Sequence, residues 1–346
     1  MPHFKIDPYY KKVIFFLAII GVGLVSRVAY EVNFNSVAAK NSAAKSLALV
    51  AQGVASDSNA GSEAFLREED SGIPASAFEA NVVADPNGTI QGNSSISQNN
   101  ASNLSGLQYE AALVVDLQTG AISFGYNDGK RWPLASITKL MTAAIVMDNF
   151  DMGQKITITP DAFATDPSEK MLKMGDVYTA SDLLQFLLLP SSNVAAEAFA
   201  DSYGRANFIA AMNARAALWG MANTYYNDPS GLSSGNQSTA DNLLLLAQKV
   251  YSDYPDVLAI TRTTQATVTE LGSGKKTLVK SINDFAGEAD FIGGKTGYTD
   301  VADGNLLSIF KYDSRPILVV VLGTDEATRF TNTEKLFDWY KTVVSK

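Results

Sequence analysis

The chain of 346 residues contains no cysteine and one histidine, His3, and these two absences remove most ready-made hydrolytic chemistry. Without cysteine there is no disulfide framework, no thiolate nucleophile and no Cys-based zinc site. Because His3 precedes a long apolar run, the body of the chain has no imidazole for a Ser-His-Asp arrangement. Positive charge is also in short supply. Lys and Arg number 27 against 36 Asp and Glu, giving a net charge of −9 with no basic stripe, which excludes a general nucleic-acid binder. Chemistry therefore falls to hydroxyls, amines, amides or carboxylates.

What is present suits an exported globular enzyme, with 46% apolar and 18% charged residues. Lys5, Lys11 and Lys12 precede the unbroken apolar run Val13 to Val25, and Ser26, Arg27 and Glu31 follow it. That order keeps the N-terminus in the cytoplasm and places the rest of the chain outside. The run falls short of the roughly 20 residues of a full span and is close to the size of a signal-peptide core. Small residues at Ala38-Ala39 and Ala43-Ala44 would permit cleavage. Residues 1–35 are thus expected to form a cytoplasmic tail followed by a membrane anchor or signal segment, the uncleaved anchor being favoured.

Residues 36–107 are rich in Ala, Ser, Asn and Gly and too poor in large apolar side chains to offset the entropy of ordering, which describes a flexible linker. The sequons at Asn87, Asn93, Asn100 and Asn103 are what such a tract produces by chance. Order is expected from Gln108, so the catalytic region is 108–346. "YEAALVVDLQTGAISFGYN" predicts a β-hairpin around Gln118-Thr119-Gly120. "SITKLMTAAIVMDNF" has helical periodicity, with Leu140, Ala144 and Met147 on one side, and four further helical segments follow. Strands return from "TTQATVTELG" to "RPILVVVLG", and a last helix closes the chain. The pattern predicts an α/β domain whose antiparallel sheet is built from both ends, with helices inserted between.

Ser136 and Lys139 lie three residues apart at the predicted start of the first helix. A serine hydroxyl is a poor nucleophile at its free pKa and needs a base within hydrogen-bond reach. Residues at this spacing share a helix face, with Cβ atoms roughly 5–6 Å apart, so Lys139 can reach the hydroxyl. Partial burial and neighbouring cations would lower its pKa enough for it to act as base. Alone, this pair could equally be a polar helix start. Two further stretches complete a pattern. Ser191 and Asn193 stand at another helix start, where Ser191 could also be a cap. Lys295-Thr296-Gly297 lies on a glycine-flanked strand, where Lys295 could be solvated and Gly293-Gly294 could mark a bulge. Ser-x-x-Lys, Ser-x-Asn and Lys-Thr-Gly in that order are a signature of penicillin-recognising enzymes.

With "LASITKLMTA", "DPSGL", "STADNLLLLA" and "GGKTGYTD", the region from Gln108 to Lys346 resembles the serine-type D-alanyl-D-alanine carboxypeptidases, the low-molecular-weight penicillin-binding proteins. The resemblance implies a β-lactamase-like α/β fold and removal of the terminal D-Ala from peptidoglycan stem pentapeptides through an acyl-serine. It implies Ser136 as nucleophile, Lys139 as base, Ser191 as proton relay, and Asn193 as a ligand of both Lys139 and the substrate amide. Lys295 and Thr296 would hold the substrate carboxylate, and Gly297 would let the strand approach the substrate. The N–H groups of Ser136 and Tyr298 would form the oxyanion site. β-Lactams would act as covalent inhibitors, the membrane would be met through the N-terminal segment, and no cofactor or metal is implied.

The chain departs from the family in having Val194 where Asp often follows the asparagine, and in ending at Lys346 with neither a C-terminal β-rich domain nor an amphipathic anchor. The same motifs would serve a DD-endopeptidase. A serine β-lactamase would need a water-activating glutamate; the candidate after Asn193, Glu197, reads as a helix-surface residue. A non-catalytic peptidoglycan-binding protein would not keep all six polar residues. Tyr203, Trp219 and Tyr225 read as core or wall aromatics.

Overall fold

The structure is a computed structural model that describes Leu104 and residues 106–344. Residues 1–35 and almost all of the tract 36–107 lie outside these residues, and among the described residues no helix is long and apolar enough to cross a membrane. The predicted hairpin is formed by β1 (Ala111–Asp116) and β2 (Ile122–Tyr126), with the Asp116 carboxylate accepting from the Gln118 and Thr119 N–H groups in the turn. A two-residue strand, β3 (Trp132–Pro133), leads through a 3-10 turn, Ala135–Ile137, into α1 (Thr138–Asn149). The inserted region runs through β4 (Lys155–Thr157), α2 (Pro160–Ala164), β5 (Val177–Thr179) and α3 (Ala180–Leu188). It continues with α4 (Asn193–Tyr203), α5 (Arg205–Leu218), β6 (Gln237–Ser238), α6 (Ala240–Asp253) and α7 (Pro255–Thr261). The chain then forms β7 (Gln265–Thr269), β8 (Lys276–Lys280), β9 (Phe291–Thr299), β10 (Asp303–Tyr312), β11 (Arg315–Thr324) and α8 (Arg329–Val344).

Threonine sets the start of three of these helices. The hydroxyls of Thr159, Thr179 and Thr239 accept from the N–H groups of Ala162, Asp182 and Asn242, an N-cap worth about 1 kcal/mol each.

The main sheet has the order β2-β1-β11-β10-β9, antiparallel throughout, so strands from both ends of the domain meet at its centre. The predicted sheet is therefore present, with one correction: β7 and β8 pair only with each other, in a separate hairpin. Each of these two strands buries a single apolar side chain fully, Val268 and Val279, too little for the interior of a covered sheet. The central strands, by contrast, are apolar on both sides. Leu318, Val320 and Leu322 of β11 face the inserted helices, while Ile317, Val319 and Val321 pack with Leu336, Phe337 and Trp339 of α8. Period-2 alternation delivers two cores from one strand.

Helix α1 departs from the predicted one-sided pattern of Leu140, Ala144 and Met147. Every residue from Thr138 to Val146 is buried, so it is a core helix rather than an amphipathic one. Lys139 is the one charged residue in that buried stretch.

Candidate active site

The 3-10 turn that carries Ser136 is held from three sides. Asn305 on β10 donates to the Pro133 carbonyl at 2.8 Å and accepts from Gly323 N–H at 2.9 Å, tying β3 to the sheet. Strand β3 pairs with β6, and the Leu134 N–H donates to the Asn236 carbonyl at 2.8 Å. Ala135, immediately before Ser136, has φ 47°, a left-handed conformation that costs a non-glycine residue on the order of 1–3 kcal/mol. Two glycines give this turn its space. A Cβ on Gly297 would lie 2.8 Å from the Leu134 carbonyl oxygen, and one on Gly231 would lie 1.9 Å from that of Ala135. Gly297 was expected to let β9 approach the substrate; what it demonstrably admits is the backbone that carries Ser136. Gly231 also has φ 90°, so Gly231→Ala should destabilise the fold by at least about 2 kcal/mol in urea unfolding, combining a strained φ with a backbone clash.

Lys139 is fully buried, and its Nζ has three partners: Ser136 Oγ at 2.8 Å, Asn193 Oδ1 at 2.8 Å and the Ser230 carbonyl at 2.7 Å. Burial lowers its pKa to about 7. The expected neighbouring cations are not what does this; Asp228, Glu169, Asp166 and Glu197 all oppose the shift, and desolvation outweighs them. The bonding fits either form of the amine. Protonated, it donates to all three oxygens; once neutral, its two hydrogens stay on the two carbonyl-type oxygens and the lone pair is left facing the Ser136 hydroxyl.

The Ser230 carbonyl comes from the Asp228-Pro229-Ser230-Gly231 turn, to which the sequence pattern alone assigned no role. The Asp228 carboxylate winds it by accepting from the N–H groups of Ser230, Gly231 and Ser233. Asn236 then locks it to α1, donating to Thr138 Oγ1 at 3.1 Å and to the Asp228 carbonyl at 2.9 Å. Asp and Gly immediately either side of a proline-serine step signal a turn, but not what its carbonyl would touch.

The other two motifs meet beside this centre. Ser191 is not the cap of α4: Ser192 is, its Oγ accepting from Ala195 N–H at 2.9 Å. Ser191 instead takes φ 65°, and its Oγ accepts from Lys295 Nζ at 2.8 Å. Lys295 is only 2% exposed, which overturns the solvated-strand alternative, and its Nζ also donates to the Thr296 carbonyl at 3.0 Å. Thr296 Oγ1 lies 3.4 Å from the same nitrogen. Burial first, then Lys139 and Arg329, pull the Lys295 pKa well down. Strand β9 is an edge of the sheet, and Gly294 turns its N–H away from β10 onto Thr261 Oγ1 at 3.1 Å. Because the register is continuous from Gly294 to Thr299, period 2 turns the Tyr298 N–H to the same open edge. A register shift does occur next to Gly293, as the glycine pair suggested.

Glu197 corrects another expectation. It is 4% exposed rather than a helix-surface residue, and both its carboxylate oxygens accept from Arg205, at 2.8 and 3.2 Å. Tyr203 and Tyr225, read as core or wall aromatics, are exposed and so are not core. Val194 packs in the core, and among the described residues no group of three His, Cys, Asp or Glu is arranged to hold a metal ion.

Residues 97–326 match the family model described as D-alanyl-D-alanine carboxypeptidase. A D-alanyl-D-alanine endopeptidase of Pseudomonas aeruginosa is 32% identical over 67% of this chain and 77% of its own. Among solved structures, a D-alanyl-D-alanine carboxypeptidase from Mycobacterium tuberculosis aligns with TM-score 0.62 and 27% identity, over 68% of this chain and 91% of the other. Penicillin-binding protein D2 from Listeria monocytogenes, solved in an ampicillin-bound form, aligns with TM-score 0.59 and 30% identity, over 67% and 97%.

Proposed function

The chain belongs to the D-alanyl-D-alanine carboxypeptidase family of serine peptidases, and from that premise we propose that it removes the terminal D-Ala of peptidoglycan stem pentapeptides by acyl transfer to Ser136. The observation that carries this reading is the pair of buried lysines, one hydrogen-bonded to Ser136 and the other to Ser191, each drawn toward the neutral form. The first serves as a base and the second receives an anion.

Ser136 Oγ attacks the carbonyl carbon of the penultimate D-Ala and passes its proton to Lys139 Nζ. The oxyanion is met by the N–H groups of Ser136 and Tyr298. When the C–N bond breaks, the departing amine takes the Ser191 hydrogen, which is free to be donated because the Ser191 oxygen already accepts from Lys295, and the proton held by Lys139 replaces it, leaving Lys139 neutral again. Water then attacks the ester carbonyl, Lys139 accepts its proton and returns it to Ser136 Oγ as the acyl C–O bond breaks, which restores the free enzyme. The terminal carboxylate of the substrate sits by Lys295 and Thr296, where its charge would restore the ammonium that burial disfavours. The β-lactam ring places an amide and a carboxylate in the same relation, so penicillins acylate Ser136. The N-terminal run Val13–Val25 would hold the catalytic region outside the cytoplasm, on the side where peptidoglycan lies.

The reading is tested by incubating the full chain with a penicillin and, separately, with a pentapeptide ending in D-Ala-D-Ala, followed by intact-protein mass spectrometry and product analysis. A penicilloyl adduct on Ser136 with release of one D-Ala per peptide is the expected result. The endopeptidase name of the Pseudomonas relative supports a second reading. An adduct with cleavage of a cross-linked dimer and no D-Ala release would establish that one, and a folded protein with no adduct would overturn both.

A further inference from the structure

We infer that Asp166 is a positioning residue for acylation: it fixes the orientation of the Asn193 side-chain amide and, through it, the direction of the Lys139 lone pair. The inference rests on Ser136 and Lys139 being nucleophile and base. Asn193 Oδ1 accepts from Lys139 Nζ at 2.8 Å, and Asn193 Nδ2 donates to Asp166 Oδ2 at 3.1 Å. An amide can rotate by half a turn and exchange its oxygen and nitrogen. The two orientations have opposite consequences here. With oxygen toward Lys139, the amine spends a hydrogen on Asn193, a second on the Ser230 carbonyl, and keeps its lone pair for Ser136. With nitrogen toward Lys139, the lone pair is captured by Asn193, and Ser136 loses its base.

An ionised carboxylate only accepts, so it admits one of these two orientations. Asp166 is ionised at neutral pH: burial pushes its pKa up, but hydrogen bonds from Ser168 and Asn193 more than offset this and hold it below the usual carboxylate range. The Ser168 hydroxyl donates to its other oxygen at 2.6 Å, which orients the carboxylate in turn. The same loop holds the neighbouring residue. Glu169 Oε2 accepts from Ser192 Oγ at 2.5 Å while that oxygen caps α4, so two carboxylates three residues apart grip two consecutive residues at the start of the helix. Nothing in the Ser-x-Asn motif itself settles the amide, because its three residues supply no partner that distinguishes the oxygen from the nitrogen.

The test is rapid mixing of the full chain with a fluorescent penicillin, which separates the dissociation constant of the noncovalent complex from the acylation rate constant. Asp166→Ala should slow acylation about ten- to a hundredfold, the loss of one hydrogen bond to a charged group, with noncovalent binding changed less than about twofold. Asp166→Asn, which keeps an acceptor oxygen but can also present its amide, should recover part of the rate. The double variant Asp166→Ala/Asn193→Ala should be no slower than Asn193→Ala alone, because both changes remove one constraint. Wild-type acylation rates in Asp166→Ala, additive losses in the double variant, or a loss confined to binding would each overturn the inference. Absence of a Ser136 adduct in the wild type would instead overturn the catalytic reading beneath it.

Discussion

Ser136→Ala should leave a folded protein that forms no covalent adduct with a penicillin and releases no D-Ala. The side chain is only partly buried and its hydroxyl is hydrogen-bonded to Lys139, so its loss removes one polar contact and no apolar packing. The chemical consequence is out of proportion to the structural one. Removal of an activated serine nucleophile costs on the order of a millionfold in turnover where it has been measured, because the remaining groups stabilise an intermediate that no longer forms. Mass spectrometry of the penicillin-treated variant reads the outcome directly. An adduct of penicilloyl mass on this variant would show that another residue is the nucleophile and would refute the assignment.

Lys139→Ala carries the second-largest effect, a loss of about a hundred- to ten-thousandfold in acylation rate, the range for a general base. Its partners make the variant informative. Asn193 Oδ1 and the Ser230 carbonyl are acceptors that lose a donor, so part of the loss is local rearrangement, and thermal unfolding of the variant reads that part separately. The wild type provides a cleaner signature. Burial lowers the Lys139 pKa to about 7, and a base works only when unprotonated. The acylation rate of the wild type should therefore rise with pH through about 7 and level off above it. Below that pH it should fall about tenfold per unit, as the neutral fraction does. A pH-independent acylation rate between pH 5 and 8 would exclude Lys139 as the base.

The Ser-x-x-Lys, Ser-x-Asn and Lys-Thr-Gly stretches were legible because each demands particular residue types at fixed local spacing. The sheet was legible for a related reason. Strands such as "RPILVVVLG" are apolar on both alternate sets, which marks strands covered on both faces. What failed to read were properties set by how the elements pack against one another. Glu197 has the local pattern of a surface helix residue, and only the packing of α5 against α4 brings Arg205 onto it and buries it. Lys295 could have been solvated on local grounds. Its burial comes from lying on β9 where that strand meets the turn between α3 and α4. The hairpin of β7 and β8 looked like part of the main sheet because strand propensity does not specify a partner.

By itself the sequence determined the class of chemistry, a serine activated without histidine or cysteine, and the α/β architecture that a both-ends sheet imposes. The tertiary structure decided how that chemistry is held. The Lys139 amine is tuned by burial and oriented by a carbonyl 91 residues away and an asparagine 54 residues away, and Ser136 rests on a left-handed turn given room by two glycines. Those features depend on desolvation and on contacts between distant segments. Neither has a local signature, because the free energy of a buried charge or a backbone clash is a property of what surrounds a residue and not of the residue itself.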